Sequence, residues 1–297
     1  MPRLAVRHET VYRYARPVSF GEHRLMFRPR DSHDLRLVDT ALTISPRAKV
    51  RWLHDVFSNS IAMASFKDPA EELRFESNIV IDHYGLSEPE FSIEPYARTY
   101  PFTYPAEESP DLARSIERDD PDPDRLVDAW AKRFLNGGST VDTQSLLVSM
   151  TKTIHAEFSY QRRYAIGVQT PTETLKLGCG SCRDLALLMM ASVRSLGLAA
   201  RFVSGYLYDS SLDNRDGTAV RGAGDTHAWV QVYLPGAGWA EFDPTNGLVG
   251  GANLIRIAVA RNPAQAVPLQ GSYFGATEDY IGMSVEVEVS RVPKDGD

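Results

Sequence analysis

Between Cys182 and Leu196 the chain reads CRDLALLMMASVRSL, a helical pattern that is apolar nearly all round. A surface helix carries a single apolar stripe, whereas a helix apolar on every side has to be surrounded. Other elements must therefore enclose residues 182–196, and Gly197 supplies a natural stop behind them. The most apolar part, 185–193, is about half of the ~20 residues a membrane span needs, so it reads as the middle of a core. A chain of 297 residues, 43% of them hydrophobic, holds ample material for such a core, and its length suggests roughly two domains at ~150 residues each.

Residues 1–100 read as strands. LAVRHETVYRY is dense in β-branched and aromatic residues and ends at Arg16-Pro17, a turn signal. LRLVDTALTIS (35–45) predicts a half-buried strand with Val38, Thr40, Leu42 and Ile44 on its more apolar face, ended by Pro46. SNSIAMASF and ELRFESNIVIDHY are two more strand candidates, and short strands between turn signals suggest an antiparallel sandwich or barrel. From Pro101 to Pro123 repeated prolines and acidic residues predict an extended, solvated linker. Helices are predicted after it: one capped by Asp122 or Asp124 that buries Leu126, Trp130 and Phe134, and one with Leu146, Leu147, Met150, Ile154 and Phe158 on a stripe. ARFVSGYLY, THAWVQVYL and GWAEFDPT are strand candidates, and SVEVEVSRV (284–292) alternates strictly as one more.

Charge and cysteine content exclude some classes. Lys and Arg total 32 against 39 Asp and Glu, a net charge of -7, which argues against a generic nucleic-acid or anionic-membrane binder. Two cysteines cannot supply a disulfide framework. The first twenty residues lack the apolar run of a signal peptide, so a cytoplasmic location is the expectation.

The chemistry begins at Cys182, where a glycine-rich loop meets the buried helix. Unpaired backbone N–H groups and the positive end of the helix dipole favour a thiolate there, and the thiolate is the nucleophile. The plain alternative is a small buried hydrophobe. A base is available in His227, which opens the strand THAWVQVYL and shares a face with Trp229, Gln231 and Tyr233; His155, on the polar side of its helix, is expected to be solvated. A hairpin turning about position 235 sets His227 opposite Asp243. With an even register both side chains lie on one face, and Asp243 then accepts from one imidazole nitrogen and aims the other at Cys182. The alternative for Asp243 is a turn residue ahead of Pro244.

The run Gly-x-Cys-x-Asp on a helix, then Arg-x-x-x-Gly-Tyr, His-Ala-Trp and Trp-x-x-x-Asp-Pro-Thr, resembles the bacterial branch of the transglutaminase-like superfamily. HETVYRYARPV and the DVFSN segment resemble that branch's N-terminal domain. The resemblance implies an α+β fold: an N-terminal antiparallel β-rich domain (1–105), a linker (106–124) and a papain/transglutaminase-like core (125–297), whose central helix carries the cysteine against an antiparallel sheet. It implies a cysteine protease or amidase with Cys182 as nucleophile, His227 as base and acid and Asp243 as orienting carboxylate. An oxyanion donor beside the Cys182 N–H is assigned by position to Tyr160 or else Gln161, and Trp229 is expected to shape the site. Arg183 and Leu185 depart from the Gln and aromatic common in relatives, which bears on substrate preference. A peptide or amide substrate is implied, with no cofactor, metal, nucleic acid or membrane partner. The rival readings are a binding scaffold on the same fold, and dithiol exchange by the Cys179-Gly180-Ser181-Cys182 motif. The polar, glycine-rich stretch 211–225 beside His227 is a candidate gate.

Overall fold

The computed structural model describes residues 2–86, 89–138, 140–163, 167–209 and 224–292. The first hundred residues form β1 (Arg3–Phe20), β2 (His23–Leu25), β3 (Leu35–Ser45), β4 (Ala48–His54), β5 (Ser60–Phe66) and β6 (Ala70–His83). Antiparallel β1, β6 and β3 lie in one sheet and β2, β5 and β4 in another. Phe20, Leu25, Ala62, Ala64, Leu73 and Phe75 are buried together from both sheets. β1 does not stop at Pro17 as its sequence suggests. Its pairing with β6 breaks off after Arg13 and resumes at Val18, so the proline falls in the irregular stretch, where no ladder N–H is required. A second irregularity between Leu37 and Asp39 of β3 explains why Leu35 and Leu37 face inward at odd positions and Leu42 and Ile44 at even ones.

The segment expected to be an extended linker contains α1 (Ser109–Ile116). Pro110 sits in its first turn, where a missing N–H costs nothing, and Leu112 is buried with Tyr104 and Ala199. α2 (Leu126–Lys132) follows, and of the two candidate caps it is Asp122 that accepts the N–H groups of Leu126, Val127 and Asp128. α3 (Thr143–Glu157) buries Leu146, Leu147, Met150 and Ile154. α4 (Pro171–Leu177) is a short helix ahead of α5 (Cys182–Ser195). α5 is buried along nearly its whole length, as its apolar circumference requires.

β7 (Ala200–Leu207), β8 (His227–Leu234), β9 (Gly238–Asp243) and β10 (Leu254–Ala260) form an antiparallel sheet in the order β9-β8-β7-β10. Ala228, Val230, Val232 and Leu234 of β8 share one buried cluster with α5. That cluster continues into the N-terminal strands through Leu4, Val6, Ile79 and Ile81.

The last strand, β11 (Tyr280–Val292), is present as expected but does not join the core sheet. It pairs antiparallel with β1 along Arg3–Tyr14, while residues 269–270 pair with β2 and 273–274 with the end of β1. The physical reason is an open edge: β1 is paired with β6 on one side only, and an alternating strand satisfies the groups on the other. The candidate gate 211–225 lies, apart from its last two residues, outside the described residues. No helix among the described residues is long and apolar enough to cross a membrane.

A buried polar joint ties β1 to β7. The His8 imidazole meets the Tyr206 hydroxyl at 2.8 Å and the Thr10 hydroxyl at 3.0 Å, and burial pushes its pKa down to about 4. A neutral ring satisfies both partners by accepting from Tyr206 and donating to Thr10. Because the unfolded chain takes up a proton near pH 6.5 that folded His8 refuses, stability is full above 6.5 and falls as pH drops toward 4. The expected loss is up to about 3 kcal/mol. Urea midpoints at pH 7 and 4.5 check this: the drop should be smaller in His8→Gln than in the unaltered protein.

Candidate active site

Cys182 is the first residue of α5 and is only 7% exposed. What fixes the helix start is Asp184, whose carboxylate is fully buried. One oxygen accepts the Ser181 N–H at 2.8 Å and the Ser181 hydroxyl at 2.7 Å. The other accepts the Gln169 N–H at 2.7 Å and Arg163 Nη1 at 2.8 Å. Burial opposes the charge, but these hydrogen bonds and Arg163 outweigh it and hold the carboxyl below its usual range. Gly180 is required by the same packing, since a Cβ there would stand 2.8 Å from the Asp184 Cβ. The loop, the cap and the cysteine are thus one unit, and Asp184 is a residue to which the sequence pattern assigns no role. The Ser-x-x-Asp spacing of a reciprocal helix cap is the signal that identifies it.

β8 delivers His227 and β9 delivers Asp243. The hairpin pairs Val230 with Phe242, Tyr233 with Trp239 and Leu234 with Gly238. Its turn is therefore centred on Gly236, which has a positive φ of 87°, and not on position 235. Extending the register sets Asp243 across from Trp229 and offsets His227 by two residues. An even offset keeps both side chains on one face, so the two meet diagonally and not directly opposite. His227 Nε2 lies 2.8 Å from Asp243 Oδ2, and both side chains are wholly buried.

Asp243 is held by the turn behind it. Oδ1 accepts the Thr245 N–H at 2.9 Å, and Oδ2 also accepts Asn246 Nδ2 at 2.8 Å. His155 packs on this same turn, with Nδ1 at 2.8 Å from the Thr245 carbonyl, so it is a half-buried brace and not the solvated residue its helix pattern predicts. Asn246 was also missed; an Asp-Pro-Thr-Asn run is the turn chemistry that could have revealed it. Trp229, fully buried, stacks on the His227 ring with centroids 6.0 Å apart. Gly205, paired across from His227, makes room for that indole: a Cβ would lie 2.7 Å from Trp229 Cη2.

Burial alone would depress the His227 pKa, but the Asp243 charge and hydrogen bond, with a smaller contribution from Cys182, push it up to about 10. Asp243 moves the opposite way: burial raises it, and the imidazolium and its hydrogen-bond donors hold it below the usual range. The second ring nitrogen, Nδ1, makes no hydrogen bond to a described oxygen or nitrogen, and the Cys182 side chain is the thiol that acts on this ring. The arrangement is a buried imidazolium fixed on one side by a carboxylate and adjoining a thiol.

Tyr160 is half-buried at this site. Residues 159–160 pair in parallel with Cys179 and Gly180, immediately before the nucleophile. Burial, then the Cys182 and Asp225 charges, push its hydroxyl up to about 12, so it is a donor at neutral pH. Gln161 is not brought in: its side chain is exposed and its N–H is used by the Gly180 carbonyl at 2.8 Å. Cys179 is half-buried, and both cysteines are free thiols. Among the described residues no group of three or more His, Cys, Asp or Glu is placed to hold a metal ion.

Comparisons with known proteins agree with this architecture. Residues 4–82 match the bacterial transglutaminase-like N-terminal region, and residues 128–244 match the transglutaminase-like superfamily. The chain is 28% identical over 308 residues to the uncharacterized protein Mb2599c of Mycobacterium bovis, across 99% of this chain and 94% of that one. It is 27% identical over 318 residues to the uncharacterized protein ML0607 of Mycobacterium leprae, covering 98% of this chain and 100% of that one. A crystal structure of a candidate cysteine protease from Cytophaga hutchinsonii shares the fold, with a TM-score of 0.68 at 19% identity over 100% of this chain and 92% of that one.

Proposed function

The chain belongs to the transglutaminase-like superfamily, and from that premise we propose that it is a thiol-dependent acyl-transfer enzyme that hydrolyses a peptide or glutamyl amide. The observation that carries the reading is the His227 ring, anchored at Nε2 by Asp243 and adjoined by the Cys182 thiol, with no described oxygen or nitrogen bonded to Nδ1. In the reaction Cys182 gives its proton to His227 Nδ1, its thiolate sulfur attacks the amide carbon, and the carbonyl electron pair moves to oxygen. The oxyanion accepts from the Cys182 N–H, which as the first helical N–H has no partner within the helix, and from the Tyr160 hydroxyl. Each such donor contributes about 3–4 kcal/mol to lowering the barrier. Collapse breaks the C–N bond, and the leaving amine takes its proton from His227 Nδ1. His227, now neutral, deprotonates a water that attacks the thioester and returns the free thiol. Asp243 keeps the ring aimed through both steps and stays ionised throughout.

The test is to expose the protein to glutaminyl and peptide amides and look for an acyl adduct by intact-mass spectrometry. A thioester on Cys182, absent in Cys182→Ala and intercepted as a hydroxamate by hydroxylamine, is expected. Turnover with no adduct on Cys182, or turnover that survives Cys182→Ala, would refute it. Release of the free acid with one oxygen from labelled water separates hydrolysis from transfer to an amine.

A further inference from the structure

Arg201, the first residue of the Arg-x-x-x-Gly-Tyr run, takes no part in the chemistry above. It lies on the face of the core sheet turned away from α5, in a cavity of about 690 Å³ between that sheet and the loops holding residues 30–34, 57–59 and 84–86. The guanidinium is fixed in two ways: Nε donates to Gln231 Oε1 at 2.7 Å, and the group lies over the Trp239 ring at 4.1 Å from its centroid. Among the described residues its two outer nitrogens donate to nothing, and none of the ion pairs there involves it. The neighbouring cation is different: Arg256 pairs with Glu241 at 2.7 Å and with Asp34 at 3.0 Å. Among the described residues Arg201 is thus a confined charge with no carboxylate hydrogen-bonded to it, and burial, only partly offset by the Glu241 charge, pushes its pKa down to about 9.

We propose that this cavity binds a monocarboxylate, whose two oxygens pair with the outer edge of the Arg201 guanidinium. Two parallel N–H donors in a fixed plane match a carboxylate, and the plane is already set by Gln231 and Trp239. A monoanion fits better than a phosphate dianion, because the cavity's three guanidiniums (Arg30, Arg201 and Arg256) are matched by three carboxylates (Asp31, Asp34 and Glu241), so no surplus of positive charge offsets a second negative charge. Phe57, Ile257 and Trp239 give one part of an otherwise polar wall an apolar surface for a hydrocarbon body, and the volume is that of a small-molecule site. The site is separate from the catalytic one. Gln231 stands four residues along β8 from His227, about 13 Å at the ~3.3 Å rise of a strand, and the buried indole of Trp229 lies between them.

The probe is sodium hexanoate, with sodium phosphate and sodium chloride at matched ionic strength, and the readout is melting temperature together with tryptophan fluorescence. Hexanoate is expected to raise the melting temperature saturably in the unaltered protein and to perturb the emission of Trp239. In Arg201→Met both responses should be lost, whereas the general stabilisation by phosphate, which acts through exclusion from the surface, should remain equal in the two proteins. Arg201→Lys, which keeps the charge without the fork and guards against misfolding of the methionine variant, should bind hexanoate about tenfold or more weakly. Identical hexanoate responses in the unaltered protein and the variants, or no response in the unaltered protein, overturn the proposal. A phosphate response that depends on Arg201 where hexanoate gives none overturns the carboxylate assignment.

Discussion

Asp243→Ala should lower turnover about 10³–10⁴-fold while leaving Cys182 in place. The size of the effect follows from how the His227 charge is maintained. Burial works against an imidazolium in this site, and the Asp243 carboxylate at 2.8 Å is the main group that outweighs it. With the carboxylate gone burial wins, the ring is neutral at pH 7, and the thiol loses the cation that stabilises its anionic form. The ring also loses its anchor, and Asn246 Nδ2 and the Thr245 N–H lose their acceptor. Asp243→Asn separates the two contributions, since it keeps an acceptor for Nε2–H but not the charge. Its turnover should fall between those of the alanine variant and the unaltered enzyme, measured as kcat and kcat/KM in protein checked to be folded.

The second large effect belongs to a residue that touches no substrate. Asp184→Ala should destabilise the protein by about 3–5 kcal/mol, because it leaves Arg163 and three other donors without the buried acceptor they share. For a chain of 297 residues that corresponds to a fall in melting temperature of about 5–8 °C. The loop carrying Ser181 would then be released from Gln169, and Cys182 would lose its fixed place at the helix start. A merely structural contribution would change only the melting temperature. Because Asp184 is a positioning residue, Asp184→Ala should also slow alkylation of Cys182 in the folded protein at 15 °C, and Asp184→Asn should recover part of both properties. An unchanged alkylation rate in folded Asp184→Ala would remove it from the account of the nucleophile.

The parts of this molecule legible in its sequence are those set by short-range periodicity. The apolar circumference of residues 182–196 requires a buried helix, and alternation in 35–45 and 284–292 requires strands; all are present, and the strand candidate SNSIAMASF (58–66) contains β5 (Ser60–Phe66). Partner choice was less legible. Nothing local in SVEVEVSRV says that it completes the open edge of β1, more than 270 residues earlier, instead of the nearer core sheet. The proline-rich segment hid α1, because composition registers Pro110 as a breaker while its position in a first turn makes it harmless. The meeting of His227 and Asp243 was legible only up to parity: the turn centre, one residue later than symmetry suggests, makes the contact diagonal. His155, Asn246 and Asp184 escaped because each acts through a backbone group or a buried acceptor that only the folded chain brings within reach.

The claim at the centre of this account is that His227, charged by Asp243, activates Cys182. The rate of iodoacetamide alkylation at Cys182 tests it directly, followed by peptide mass mapping from pH 4.5 to 10 in the unaltered protein, His227→Ala and Asp243→Ala. Alkylation at pH 6 that is much faster in the unaltered protein than in either variant is the predicted result. A Cys182 that follows the same pH profile in all three proteins would contradict it.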